Sequence, residues 1–547
     1  MLWLGVNQWN SDYGAPDPPS VASTQTNAAP TQTNNNPKKA SGVLGLSDNL
    51  PVIAIENGPT ETSEESRLLT RLVTVKTDVF ELGINPDKGG DIVQAKLLKY
   101  FPNKDDKSKK IELLSYNEDN YQYFQTGLLS LSGHPEPNHQ QAFLEKDKKL
   151  ELREGQEQIS TSLVWKIKQD QTNLEVKKSY TFKRGRYDIL LTYDIKNLGT
   201  QDYTFVLYNQ LVKKDKKAER SMFNVETYSY NGPIIYNGES YQKIDTAELA
   251  DTPLRETHTN GWASNIQHHF LVAMVPEQNQ PYTFSASSDP ANELYKVAMV
   301  GQTPVTVRPG ARAQVSTTFF VGPKIQEQLK DVAQGLELSV DFGKLTFLSS
   351  PLFWLLRKTH QLVRNWGLAI ILVTLLIKLL FYPLTEASGR SMAKMRKVQP
   401  RIKAIQDRHK DDKQAQSQAM MELYKKEKVN PMAGCLPMLI QIPFFIAFYW
   451  VLLESVEIRQ APFFLWIQDL SSRDPYFVLP LLMGLGMFFQ QKLNPAPPDP
   501  MQAKIMTAMP IMFTAMFAFF PSGLVLYWLT NSLLSIAQQW KINRAAQ

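Results

Sequence analysis

Two kinds of apolar pattern divide the 547-residue chain. Before about residue 350, apolar and polar positions alternate in short runs: RLVTVKTDVFELGIN, SLVWKIKQD, LEVKKSYTFKRGRYDILLTYDIKN, TFVLYNQLV, HHFLVAMVP and VTVRPGARAQVSTTFFVGP. Period-two alternation rich in β-branched and aromatic residues predicts strands, and the interleaved NPDKGG, KRGR, NLGT and RPGA are turn sequences. Many short strands without helical patterns between them predict a large β-sandwich over 61–349. After Pro351 the apolar runs become long. Roughly 20 apolar residues cross a bilayer core, and 366–384, 432–453 and 475–493 are candidates. The run from Ile505 is too long for one span and carries Pro521-Ser522-Gly523 in its middle. It predicts two spans, 505–520 and 521–540, joined by a tight turn.

Shorter patterns fill the gaps. SPLFWLLRKTHQLVRN (350–365) is amphipathic and predicts a helix lying along the outer membrane boundary, with a packed connector helix as the plainer alternative. Within 385–431, Met392, Met395, Val398, Ile402 and Ile405 recur at helical spacing, with a bend expected at Pro400. Ala419, Met420, Leu423 and Tyr424 repeat the pattern, so two helices joined near Lys410–Lys413 would form an antiparallel hairpin with an apolar seam. Residues 15–60, led by the low-complexity Pro16–Pro37, read as a disordered tether. The opening MLWLGV is too short for a span or a signal peptide's core, and 1–14 reads as the truncated remnant of an N-terminal signal-anchor span.

Charge sets the orientation. Residues 385–431 carry twelve lysines and arginines against six acids, whereas 454–474 carries two basic residues against four acids. Lys492 and Lys504 flank the short loop 494–504, and Lys541 and Arg544 lie in the tail 541–547. Basic loops stay in the cytoplasm, and here they alternate as five spans require. The hairpin, the short loop and the C-terminus are therefore expected inside, and the β-domain outside, which in a bacterium is the periplasm. The overall balance of 59 basic and 53 acidic residues is too mild to imply a nucleic-acid role, so DNA is not expected as a partner.

Candidate chemistry is sparse. The single cysteine, Cys435, allows neither a disulfide framework nor a zinc cluster. No GxxxxGK[ST] motif occurs, and no cofactor or metal is expected. His268 and His269 are adjacent, and a strand would point them to opposite faces. No motif supports acid–base catalysis by these or the other five histidines. What stands out is Lys378 in GLAIILVTLLIKLLFYPL, a charge inside an apolar run. Such residues mark functional paths in membranes, although a lysine this close to the inner boundary could also snorkel out. Thr374, one turn earlier, shares its face.

FYPLT (381–385) with SMAKMRKVQPRIKAIQ (391–406), KVNPMAGCLPMLIQIPFF (428–445), APFFLWIQDLSSRDPYFVLPLLMG (461–484) and DPMQAKIMTAMP…FPSGLVLYW (499–528) together closely resemble the YidC/Oxa family of membrane protein insertases, in its long Gram-negative YidC form. The resemblance implies a multi-domain protein of the inner membrane: a periplasmic all-β supersandwich, related in fold to sugar mutarotases, then an α-helical five-span core with a cytoplasmic helical hairpin. It further implies an insertase and chaperone for nascent inner-membrane proteins, working with or without the Sec translocon, and not an enzyme. The family's polar groove, open to the cytoplasm, matches Lys378, where most members have arginine, together with Thr374 and Gln441. Its hydrophobic slide matches Ile442, Pro443, Phe445, Met516, Phe517, Tyr527 and Trp528. Partners implied are nascent membrane proteins, Sec translocon components, the ribosome, the signal recognition particle or its receptor at the hairpin and loops, and anionic lipids. Two alternatives remain on the residues alone. One is an ion or proton transporter using Lys378, disfavoured by the lack of paired repeats; the other is an anchored periplasmic sugar-binding or sugar-modifying protein.

Overall fold

The computed structural model describes residues 71–116, 121–215, 229–409, 412–427, 436–493 and 500–545. Residues 1–60, expected to hold a remnant span and a tether, together with Cys435 and residues 494–499 of the short loop, lie outside the described residues.

Each alternating run forms the strands it predicts. They assemble into an 11-stranded and a 9-stranded sheet. In the larger sheet every pairing is antiparallel except that of Val73–Lys76 with Lys149–Glu151. The smaller sheet is built around the hairpin Gln158–Gln169/Thr172–Lys183, continued by Asp188–Asn197 and Arg312–Pro323. NPDKGG turns as expected: the Asn85 carboxamide oxygen accepts from Asp87 N at 3.0 Å, and Gly89 and Gly90 take φ of 64° and 78°, a region that favours glycine.

The sheets stack face to face. Phe124 from one meets Phe319 from the other at 4.4 Å between ring centroids, and Trp262 lies fully buried, stacked on Tyr236 at 5.3 Å. Between the sheets sits one unexpected charge. Lys178, on the smaller sheet, is fully buried and donates to Gly89 O at 2.7 Å, with the Phe143, Tyr180 and Tyr193 rings about it and Asp91 as the facing acid. Burial pulls its ammonium down to about 7, against the upward pull of Asp91.

Beyond the sandwich the chain is helical: α1 Gln326–Val332, α2 Thr346–Val363, α3 Trp366–Leu380, α4 Tyr382–Arg408, α5 Lys413–Lys426, α6 Leu436–Glu454, α7 Val478–Lys492, α8 Pro500–Phe517 and α9 Ser522–Ala545. The amphipathic helix α2 begins at Thr346, upstream of Ser350, so Pro351 falls inside it. Helix α4 runs through Pro400 without a break and pairs with α5 across Met395, Val398, Ile402, Met420, Leu423 and Tyr424, the seam the spacing predicts. The long last run divides at Pro521, as its Pro-Ser-Gly predicts.

Among the described residues no single helix is by itself long and apolar enough to cross a membrane. Helices α3 and α4 together are, bent by 66° at Phe381, and the apolar stretches Leu439–Glu454 and Lys504–Phe517 are shorter. Large apolar side chains nevertheless face outward from these helices, among them Leu376, Ile446, Leu481, Leu485, Ile511 and Leu533. An apolar exterior of this extent is a surface for lipid or for another protein.

Small residues let the helices approach. A Cβ at Gly484 of α7 would collide with the Thr514 hydroxyl of α8, which is itself committed to Pro510 O at 2.7 Å. Gly484→Val is therefore expected to destabilise the helical bundle by about 1 to 3 kcal/mol. Gly486→Ala, whose Cβ would meet only Ser532 Cβ at 3.5 Å, is expected to be tolerated. Thermal unfolding in detergent micelles distinguishes the two, and equal melting of both variants removes the close-packing account.

Candidate functional site

The N-terminal end of α3 is held by Asn365, whose side-chain oxygen accepts from Leu368 N at 3.0 Å while its amide donates to Phe463 O at 3.1 Å. Gly367 lies against the Phe463 ring with no room for a Cβ. From this anchor α3 buries Ala369, Ile370, Val373, Thr374 and Ile377 along one face. Lys378 follows in the last turn, half-buried at the edge of that face.

Its amine does not leave the bundle. Nζ donates to Ser535 Oγ of α9 at 2.7 Å, and that hydroxyl in turn donates to Asn531 O at 2.8 Å. One turn away, the Asn531 side-chain oxygen accepts from Gln441 Nε2 of α6 at 2.5 Å. Three helices thus contribute one continuous polar chain, Lys378–Ser535–Asn531–Gln441. Among the described residues no carboxylate faces the amine. A cation held only by neutral oxygens in an apolar bundle retains affinity for an anionic or polar visitor, because charge-assisted hydrogen bonds are the stronger ones. Thr374 stands apart from this chain: it is buried, and its hydroxyl donates to Ile370 O of its own helix at 2.7 Å.

Beside the polar chain lies an aromatic cluster. Phe445 of α6 meets Trp528 edge-on at 4.7 Å and lies within 6.1 Å of Tyr527 and 6.3 Å of Phe517. Trp528 stacks on Phe513 at 6.0 Å and contacts Phe517 at 5.4 Å. Phe517 and Tyr527 are buried, whereas Ile442, Pro443 and Met516 sit on the exposed sides of the same helices. Of the slide positions expected from sequence, four therefore meet around Phe445 and three form its open flank.

Asn531, Ser535 and Phe513 were not singled out from sequence. The signal for the first two was available, since Asn531 and Ser535 sit four apart and so share one face of a largely apolar helix. No group of three or more His, Cys, Asp or Glu is arranged to hold a metal ion among the described residues.

Comparison with known proteins gives a consistent picture. A family model described as YidC periplasmic domain matches residues 72–355, and one described as 60Kd inner membrane protein matches 358–547. The chain is 42% identical to the membrane protein insertase YidC of Pseudomonas fluorescens (strain Pf0-1) over 547 residues, 99% of this chain and 95% of that protein. It is 41% identical to the protein of the same description from Pseudomonas entomophila (strain L48), over 100% and 96% of the two chains. Among solved structures, an active YidC insertase crystal structure with its first transmembrane domain resolved aligns at 19% identity and a TM-score of 0.38, covering 87% of this chain and 92% of that one. A galactose mutarotase-related enzyme from Lactobacillus acidophilus aligns at 11% identity and a TM-score of 0.30, covering 46% and 97%.

Proposed function

The chain belongs to the YidC family of membrane protein insertases, and on that premise we propose that it inserts nascent inner-membrane proteins through the Lys378 groove. Five spans, 366–384, 432–453, 475–493, 505–520 and 521–540, surround the groove, with the β-domain in the periplasm and the hairpin α4/α5 in the cytoplasm.

The observation that carries the reading is the adjacency of two unlike surfaces. The polar chain from Lys378 to Gln441 lies beside the aromatic cluster of Phe445, Phe517, Tyr527 and Trp528. An entering span has the same two parts: a short polar or acidic outer segment and an apolar helix. Lys378 lowers the cost of drawing the polar segment part-way across, where unpaired polar groups are expensive, while Thr374, one turn before it, packs behind it with its hydroxyl on Ile370 O. The apolar helix meanwhile moves along Ile442, Pro443, Phe445, Met516, Phe517, Tyr527 and Trp528 and leaves into lipid, gaining roughly 25 cal/mol per Å² of apolar surface removed from water. Partitioning and the membrane potential drive the step without covalent chemistry. The basic hairpin and the 494–504 loop meet the ribosome, the signal recognition particle or its receptor, and anionic lipid heads; Sec translocon components assist for some substrates.

The test is site-directed photocrosslinking to a ribosome-stalled single-span protein. Probes at Ile442, Phe445 and Trp528 are expected to capture the nascent chain, and a probe at Leu481, on the exposed face of α7, is not. Equal capture from Leu481 overturns the groove reading.

A further inference from the structure

Helix α6 is supported very unevenly. Its inner half, which carries Gln441, Ile442, Pro443 and Phe445, has Leu439, Ile442 and Ile446 exposed, and Pro443 removes one of its backbone hydrogen bonds. Its outer half is buried: Ala447, Phe448, Val451, Leu452 and Leu453 are at most 6% exposed, and Ala447 O accepts from Ser349 of α2 at 3.2 Å. The helix ends on an acid, Glu454, only 5% exposed.

That acid reaches into the β-domain. Its Oε1 accepts from Ser229 Oγ at 2.8 Å and lies 3.7 Å from His268 Nε2. Lys324, at the end of the strand Arg312–Pro323 and 3% exposed, faces Glu454 and Asp341, and Asp341 is paired with Lys243 at 2.7 Å. Burial pulls the Lys324 ammonium down to about 8. The turn after α6 extends the contact. Arg459 donates to Phe101 O at 2.8 Å and covers the Phe270 ring at 5.6 Å, Gln460 donates to Phe101 O at 2.9 Å, and Lys104 of the β-domain donates to Gln468 O.

A buried carboxylate among a hydroxyl, an imidazole and an ammonium holds only in one geometry, since displacing it leaves charges unpaired in a dry place. We propose that Glu454 is a positioning residue for insertion, by which the β-domain clamps the outer end of α6 and so sets where the weakly supported inner half, with its groove and slide residues, stands. The proposal rests on the insertase reading for its functional half, whereas the clamp itself is measurable without insertion.

The experiment uses the full chain in proteoliposomes, with Glu454→Lys, Glu454→Gln and the exchanged pair Glu454→Lys/Lys324→Glu. Two quantities are read: backbone hydrogen exchange over 439–454, and insertion of a small single-span protein. Glu454→Lys is expected to raise exchange about tenfold, the local opening that loss of tertiary support produces, and to lower insertion several-fold. Glu454→Gln, which retains the contact to Ser229 but leaves Lys324 without its nearest acid, is expected to raise exchange by less than Glu454→Lys, and the exchanged pair recovers most of both readouts. Unchanged exchange in Glu454→Lys overturns the clamp. Raised exchange with undiminished insertion overturns the positioning role, and failure of the exchanged pair to recover either readout overturns the assignment of Lys324 as partner. Absence of insertion by the wild-type chain counts against the insertase reading, while the exchange data still decide the clamp.

Discussion

Lys378→Ala is expected to lower insertion about tenfold, equivalent to about 1.4 kcal/mol, for a substrate with an acidic outer segment, with Lys378→Arg retaining it. The reason lies in what the amine touches. It is tied to Ser535 Oγ at 2.7 Å and to no carboxylate among the described residues, so its charge is not cancelled in the resting state. On the proposed reading, a polar segment entering the groove exchanges a neutral hydroxyl for its own anionic or carbonyl oxygens, and a contact with an ionised partner is worth roughly twice a neutral one. Arginine preserves the charge and adds a planar fork suited to carboxylates, so it substitutes well where charge is what matters. Lys378→Met separates charge from stem packing, because it retains the aliphatic length. The assay is insertion into proteoliposomes of paired substrates with acidic and neutral outer segments. Equal insertion by the alanine, methionine and arginine variants rules out a role for the charge in this protein.

The largest effect on stability is expected at Lys178. Lys178→Met removes a fully buried amine and its hydrogen bond to Gly89 O and leaves Asp91, whose carboxyl is pushed well up by burial, without its facing base, a change expected to cost about 3 kcal/mol. Replacing both charges, as Lys178→Met/Asp91→Asn, is expected to recover most of the loss, because two neutral groups carry no uncompensated charge into the interior. Urea dependence of backbone hydrogen exchange over the strands Thr172–Lys183 and Asp188–Asn197 in the detergent-solubilised chain measures both. A double variant as unstable as the single one shows that the cost comes from lost packing with Phe143, Tyr180 and Tyr193 and not from the charge. Neither variant is expected to alter the groove chemistry, which separates this prediction from the first.

Much of the architecture was legible because it is written locally. Alternation over Asp188–Asn197 or Arg312–Pro323 needs only neighbouring residues to declare a strand, and the seam of Met395, Val398 and Ile402 needs only helical spacing. Lys378 was visible for the same reason, as one charge in an apolar run. Thr374 was expected to share its polar role from spacing alone, and the structure places its hydroxyl on Ile370 O of its own helix. One helix limit moved where sequence offers only a weak stop: the helix with Pro351 begins at Thr346, upstream of the expected Ser350.

By itself the sequence determined the β-sandwich followed by apolar helices, the turns that join the strands, the apolar seam of the hairpin, and the single lysine in the apolar run 367–384, because each is a property of residues within a few positions of one another. Only the tertiary structure decided that Lys378 meets Ser535, that Gln441 meets Asn531, that Lys178 faces Asp91 between two sheets, and that Glu454 closes on Ser229, His268 and Lys324. Those partners lie on separate elements far apart in the chain, and no local period encodes which of them packing will bring within a hydrogen bond's reach.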